Sequence, residues 1–248
     1  RGLVGSEMCI RDRNSLSPTM YGIGSCFINR LTTARNWIIW CSSSKSFIRN
    51  KSKINIGFLP TASNDNQEKT DLFYNRFKSQ KFKLSHFNLC SSVEGFNEWL
   101  LNKDIIYVGG GNTSDMINIW KRHNLIKVFK DAYEKGIILS GISAGAVCWF
   151  DWILSDSVNE ELSPLKGINF LDGSCTPHSS DNNRLRQFIS EIQDGNLPDG
   201  IAIDDGVAVL FIDGVPSEVY SSRINHDAYY VTRHDKISLK TYIKNLNG

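Results

Sequence analysis

Apolar positions along the chain fall into short runs separated by polar stretches, and the period of each run predicts an element. Ile54 to Leu59 is an apolar run closed by Pro60-Thr61-Ala62-Ser63, which predicts a strand ending in a turn. Asn64 or Asp65 then caps a helix over about 66–80 that buries Leu72, Phe73 and Phe77. Lys83 to Leu89 predicts a strand and Val93 to Leu101 a short helix. Asp104-Ile105-Ile106-Tyr107-Val108 is a strand that runs into Gly109-Gly110-Gly111-Asn112-Thr113, where Thr113 caps a helix carrying Met116, Ile117, Ile119 and Trp120. From Asn124 to Lys135, Leu125, Ile126, Val128, Phe129, Ala132 and Tyr133 share one helix face, and Gly136 stops that helix. Ile137 to Leu139 is the next strand.

The ends of the chain pattern differently. Met20 to Phe27 predicts a strand and glycine turn through Gly22 and Gly24. Leu31, Ala34, Ile38 and Ile39 stand at helical spacing, which predicts a helix within 30–50 followed by a Ser/Lys-rich loop. Asp151 to Asp172 reads as loop, with a strand-like stretch from Ile168 to Leu171, and Asp181 to Ile192 as helix. Ala202 to Tyr230 reads as several short strands with turns at Asp213-Gly214 and Asn225-His226. Strands alternating with helices imply a sheet covered on both faces. The expected fold class is therefore α/β: a three-layer α/β/α domain over 14–248 with a mostly parallel central sheet, its last third adding strands at the sheet edge.

Composition narrows the class without changing it. The 248 residues suit one large domain or two small ones, enough for a substantial core, and 41% hydrophobic with 22% charged residues is ordinary for a globular protein. A formal net charge of +2 with no basic stripe gives no argument for nucleic acid. No apolar run reaches the roughly eighteen residues that cross a bilayer, and no signal peptide is visible, so a cytoplasmic protein is expected. The six cysteines lie far apart with no C-x-x-C pair, which predicts reduced thiols rather than disulfides or a zinc site. Arg1 to Arg13 resembles translated adapter sequence and is set aside from the fold.

The chemistry concentrates where a strand meets Gly141-Ile142-Ser143-Ala144-Gly145. The spacing matches the G-x-S-x-G elbow, in which a strained turn pushes a serine hydroxyl outward. A serine hydroxyl needs a base, and the base needs a carboxylate to orient it. Of His86, His123, His178, His226 and His234, His178 follows a strand-like stretch and precedes a capped helix, where α/β folds carry functional loops. Asp204-Asp205, within the apolar run Ala202 to Ala208, supplies the acid, with Asp156 and Asp181 as competitors. The N–H of Ala144 and one from Gly110 or Gly111 form the candidate oxyanion hole, and Asn112 stands ready to touch substrate. The same glycine turn could instead cradle a phosphate, although it lacks the dinucleotide and Walker spacings. Cys148, in the elbow helix, reads as a packing residue.

Tyr107-Val108-Gly109-Gly110-Gly111-Asn112-Thr113, Gly141-Ile142-Ser143-Ala144-Gly145-Ala146, Pro177-His178 and Ala202-Ile203-Asp204-Asp205-Gly206 together resemble the dipeptidase E and cyanophycinase family of serine peptidases. Leu59-Pro60-Thr61-Ala62-Ser63 and Pro164-Leu165-Lys166-Gly167 extend the likeness, which runs from about Ile54 to Ser222. Gly22-Ile23-Gly24-Ser25 departs from the glycine-rich strand end that relatives carry. The resemblance implies a class I glutamine amidotransferase-like (flavodoxin-like) fold, a Ser-His-Asp/Glu triad, and no metal or organic cofactor. It places the nucleophile on Ser143, the histidine on His178 and the acid on Asp205, with Asp156 near another acid implicated in the family. The implied reaction is cleavage after an N-terminal aspartate in short peptides, with Arg184 and Arg186 as candidates to hold the carboxylate. A cyanophycinase-like hydrolase of β-aspartyl peptides, a small-ester hydrolase and a non-catalytic anion-binding module are the alternatives. A peptide substrate is the expected partner, without nucleic acid or membrane, and a homodimer is compatible with the reading.

Overall fold

The computed structural model describes residues 37–41 and 52–247. The strand expected at Met20 to Phe27 and the segment Arg1 to Arg13 lie outside these residues. The first element, β1 (Trp37–Cys41), falls within the stretch whose spacing predicts a helix. It is a strand because both its edges are taken: it pairs parallel with Val207–Ile212 and antiparallel with Ile138–Ile142. A Trp-Ile-Ile-Trp-Cys run of β-branched and aromatic residues suits that slot better than a helix.

The next elements follow the sequence pattern closely. They are β2 (Ile54–Leu59), α1 (Gln67–Phe77), β3 (Phe82–His86), α2 (Phe96–Leu101), β4 (Ile105–Val108), α3 (Thr113–Arg122), α4 (Leu125–Glu134) and β5 (Ile138–Ile142). The caps differ by a residue or two. Asn66 caps α1 by accepting from the Lys69 N–H, and Asn112, not Thr113, caps α3 by accepting from the Asp115 N–H. Phe73 and Phe77 are buried, whereas Leu72 is 60% exposed on the outer face of α1.

Beyond the elbow helix α5 (Ala144–Val147), the stretch expected to be loop contains β6 (Phe150–Ser155), β7 (Ser163–Lys166) and the start of β8 (Leu171–Thr176). Then come α6 (Asn182–Gln193), β9 (Gly200–Ile203), β10 (Val207–Ile212), β11 (Val215–Ser221), β12 (Ala228–Val231), β13 (Lys236–Ser238) and α7 (Leu239–Asn247). Two of these late strands, β10 and β11, add to the edge of the first sheet as expected. The rest build a second sheet of their own.

The seven-stranded sheet runs β11-β10-β1-β5-β4-β2-β3, and its β5-β4-β2-β3 half is parallel throughout. The six-stranded sheet runs β13-β12-β9-β8-β6-β7, with β9, β8 and β6 parallel at its centre. Alternating side chains sort the layers. In β4, Ile105 and Tyr107 face α1, where Tyr107 lies 5.0 Å from Phe58 and 5.7 Å from Phe77 between ring centroids. Ile106 and Val108 face the opposite core with Trp120 and Phe129 of α3 and α4. That core also takes Phe150, Ile201 and Ile203 of the second sheet, while Leu154 and Ala202 pack under Phe188 and Ile192 of α6. Large β-branched and aromatic residues on both faces explain why these strands are buried on both sides.

Candidate active site

Ser143 leaves the C-terminal end of β5 with φ 52° and ψ −117°, a backbone conformation that a side chain other than glycine rarely adopts. Close packing enforces it. A methyl added at Gly141 would lie 2.0 Å from the Gly145 carbonyl oxygen, and one at Gly145 would lie 2.3 Å from the Val108 carbonyl oxygen. Both glycines of the elbow are thus required by contact, not only by flexibility. The parallel neighbour β4, whose Val108 pairs with Gly141, delivers the Gly109-Gly110-Gly111 turn beside the serine. A methyl at Gly110 would lie 3.1 Å from Ser143 Cβ. Gly111 has φ 151°, and a methyl there would stand 1.9 Å from the Ala62 carbonyl oxygen.

His178 and Asp205 arrive from the second sheet. Strands β8 and β9 are adjacent and parallel, with Thr176 opposite Ala202, so the residues just past their C-terminal ends are brought together. His178 Nε2 lies 3.0 Å from Ser143 Oγ, and His178 Nδ1 lies 2.7 Å from Asp205 Oδ1. With Nδ1 protonated toward the carboxylate, Nε2 accepts from the serine hydroxyl, the polarity a general base requires. The N–H groups of Gly110, Gly111 and Ala144 have no hydrogen-bond partner among the described residues; Ala144 follows Ser143 in the chain and Gly110 lies beside it in space.

A nucleophile elbow, a base in contact with it and an acid orienting the base can carry out acyl transfer. The sequence speaks to the same chemistry: residues 41–218, more than half of the chain, match the model of peptidase family S51. This chain belongs to peptidase family S51. It is a serine-type peptidase and a hydrolase, and the resemblance read from its motifs holds. A Bacillus subtilis (strain 168) protein named uncharacterized peptidase YgaJ is 37% identical over 194 residues, 76% of this chain and 84% of that protein. The crystal structure of a peptidase from an acI-B1 actinobacterium superposes with a TM-score of 0.55 at 14% identity, covering 83% of this chain and 97% of its own, a likeness of fold.

The other residues of this S51 peptidase that the sequence singles out take these places. Asp156 is ion-paired with Arg184 at 2.8 Å and does not reach His178. Arg184, only 11% exposed at its side chain, therefore meets a carboxylate of the protein itself, and its other donor reaches the Leu154 carbonyl at 3.4 Å. Arg186 is exposed and bonds Asn183 on its own helix. Asn112 turns its carbonyl to the cap of α3 and its amide to the Ser157 carbonyl at 3.1 Å, which ties the loop after β6 to the glycine turn. Asp181 caps α6. His86 bonds the Tyr74 hydroxyl at 3.0 Å and His123 ends α3. Cys148 is buried, donates to the Gly145 carbonyl, and has its thiol pushed well above the ordinary range by burial. It packs, as its position predicts. No helix among the described residues is long and apolar enough to cross a membrane.

Sequence reasoning passes over Ser179 and Ser180. Ser179 donates to Asp204 at 2.7 Å, and Ser180 accepts the Asp205 N–H at 2.9 Å. The signal available in the sequence is the pairing of two doublets, His178-Ser179 and Asp204-Asp205, each at the end of a strand.

Proposed function

We propose that this peptidase is a cytoplasmic exopeptidase for short peptides, above all dipeptides with an N-terminal aspartate, acting through Ser143, His178 and Asp205. The observation that carries the reading is the unbroken contact from Ser143 Oγ through the imidazole to Asp205, at 3.0 and 2.7 Å. Ser143 Oγ attacks the scissile carbonyl carbon while its proton passes to His178 Nε2. The carbonyl oxygen becomes an oxyanion beside the Ala144 N–H and that of Gly110 or Gly111, each donor contributing about 3 kcal/mol. The C–N bond then breaks, His178 returns the proton to the leaving amine, and an acyl-serine remains. Water, deprotonated by His178, hydrolyses that ester and restores the serine. Asp205 keeps Nδ1 protonated and stabilises the imidazolium throughout.

The aspartate preference rests on the family resemblance and on Arg184, a half-buried cation of α6 that pairs with Asp156 beside the loop that Asn112 ties to the glycine turn. A substrate carboxylate reaches that guanidinium by exchanging with Asp156. The test is hydrolysis of a panel of Asp-X, Glu-X and other dipeptides by the wild type and Ser143→Ala. Asp-X cleavage lost in the variant supports the reading. A folded protein that cleaves no dipeptide but degrades β-aspartyl-arginine polymer refutes it in favour of the cyanophycinase-like activity.

A further inference from the structure

The relay itself is partly open to water: the side chains of His178 and Asp205 are 25% and 31% exposed. Water competes for such hydrogen bonds, so their geometry has to be imposed from below. His178 also has φ 58°, a left-handed backbone that costs on the order of 1 kcal/mol and persists only where neighbours over-determine it. The neighbours here are the next residue in one segment and the preceding residue in the other.

Ser179 is 1% exposed and Asp204 5% exposed. The Ser179 hydroxyl donates to Asp204 Oδ1 at 2.7 Å across 25 residues of sequence, and the Ser179 N–H donates to the Ile203 carbonyl at 3.0 Å. Asp204 Oδ2 accepts the Asp227 N–H at 3.1 Å, and the Asp204 N–H donates to the Asp227 carbonyl at 3.1 Å. Both carboxylate oxygens are therefore used, and no Lys or Arg pairs with this carboxylate among the described residues. A buried carboxylate without a cation is costly to keep, and a short O–H···O bond to it is strong and directional.

We infer that Ser179 and Asp204 are a positioning pair that sets the His178–Asp205 hydrogen bond and, through it, the reactivity of Ser143. The inference rests on the triad proposed above. The two segments cross so that the relay faces the site while Ser179 and Asp204, one residue inward on each segment, lock the same crossing in the core. Loosening the inner rung lets the outer rung wander, and a displacement of about 1 Å at a reacting group can cost about 100-fold in rate.

The experiment compares Ser179→Ala, Asp204→Ala, Asp204→Asn and the double alanine variant with wild type, Ser143→Ala and His178→Ala. Each is read by thermal unfolding, by kcat and KM on the Asp-X dipeptide, and by the rate at which a fluorophosphonate labels Ser143, which needs no peptide. Ser179→Ala is expected to lower kcat and labelling about 10- to 100-fold, with KM within about twofold. Asp204→Asn, which keeps an acceptor, recovers part of the loss, and the double variant is no slower than Asp204→Ala. Wild-type kcat and labelling in a folded Ser179→Ala, with only its unfolding temperature lowered, overturns the inference. If Asp204→Ala does not fold, Ser179→Ala, which loses one hydroxyl, decides alone. His178→Ala labelling as fast as wild type would instead sink the triad, so the two failures are distinct.

Discussion

Around Ser143 the backbone is fixed by steric contact, whereas around His178 and Asp205 it is fixed by hydrogen bonds between distant segments. The first region is local: Gly141 and Gly145 flank the serine and press against carbonyl groups within and beside the turn. The second joins residues 27 apart and depends on Ser179, Ser180 and Asp204 to hold the crossing. The packed region tolerates no added atom, while the bonded region tolerates no lost donor or acceptor. Errors in the two should therefore look different, one as instability and the other as lost rate.

The largest expected effect comes from breaking either side of the contact between them. Ser143→Ala and His178→Ala should each lower kcat by roughly 10⁴-fold or more, and the double variant should be little worse than either. Equal and non-additive losses, measured on a cleaved dipeptide with circular dichroism unchanged, would show that the two regions act as one device. Asp205→Asn should cost on the order of 10⁴-fold by leaving His178 in the wrong tautomer. Asp156→Asn is the control for that assignment, with kcat expected within about tenfold of wild type because Asp156 bonds Arg184. A loss as deep as that of Asp205→Asn would transfer the orienting role to Asp156.

Next in size is the packed region tested by itself. Gly145→Ala puts a methyl 2.3 Å from the Val108 carbonyl and should lower the unfolding free energy by about 3 kcal/mol, read from a urea transition. If that variant is as stable as wild type but slow, packing is not what holds the elbow. The smallest effect concerns Cys148, whose thiol burial holds in the neutral form. The sign follows: its burial favours the fold below the ordinary thiol range and opposes it as pH rises above that range. Alkylation of Cys148 at pH 8 should proceed only as fast as the packed region opens, and faster in Gly145→Ala, with peptide mass mapping as the readout.

Periodicity alone specifies β2, β4 and the helices α1, α3, α4 and α6 to within a few residues, because the strands are continuous apolar runs and each helix has an apolar face and a capping residue in the sequence. It fails at β1 and at β6 to β8. Trp37–Cys41 becomes a strand only because β5 and β10 leave a slot between them. The pairing of β6 with β8 has a register shift between Phe150 and Trp152, and β7 joins only by pairing with β6, so pairing carries what the pattern of these strands does not. The candidate site divides the same way. The elbow is legible because its steric demands fall two residues to either side of Ser143, on Gly141 and Gly145, where only glycine fits.

Read without coordinates, the chain already specifies the α/β class, the serine elbow, the glycine turn and the short set of residues able to serve as base and acid. Which members of that set touch one another depends on the folded chain. Asp205 rather than Asp156 meets His178 because β9 lies beside β8, while α6 carries Arg184 to Asp156. The choice of partner is a long-range hydrogen bond, and its energy appears only after the chain has brought the two strand ends together.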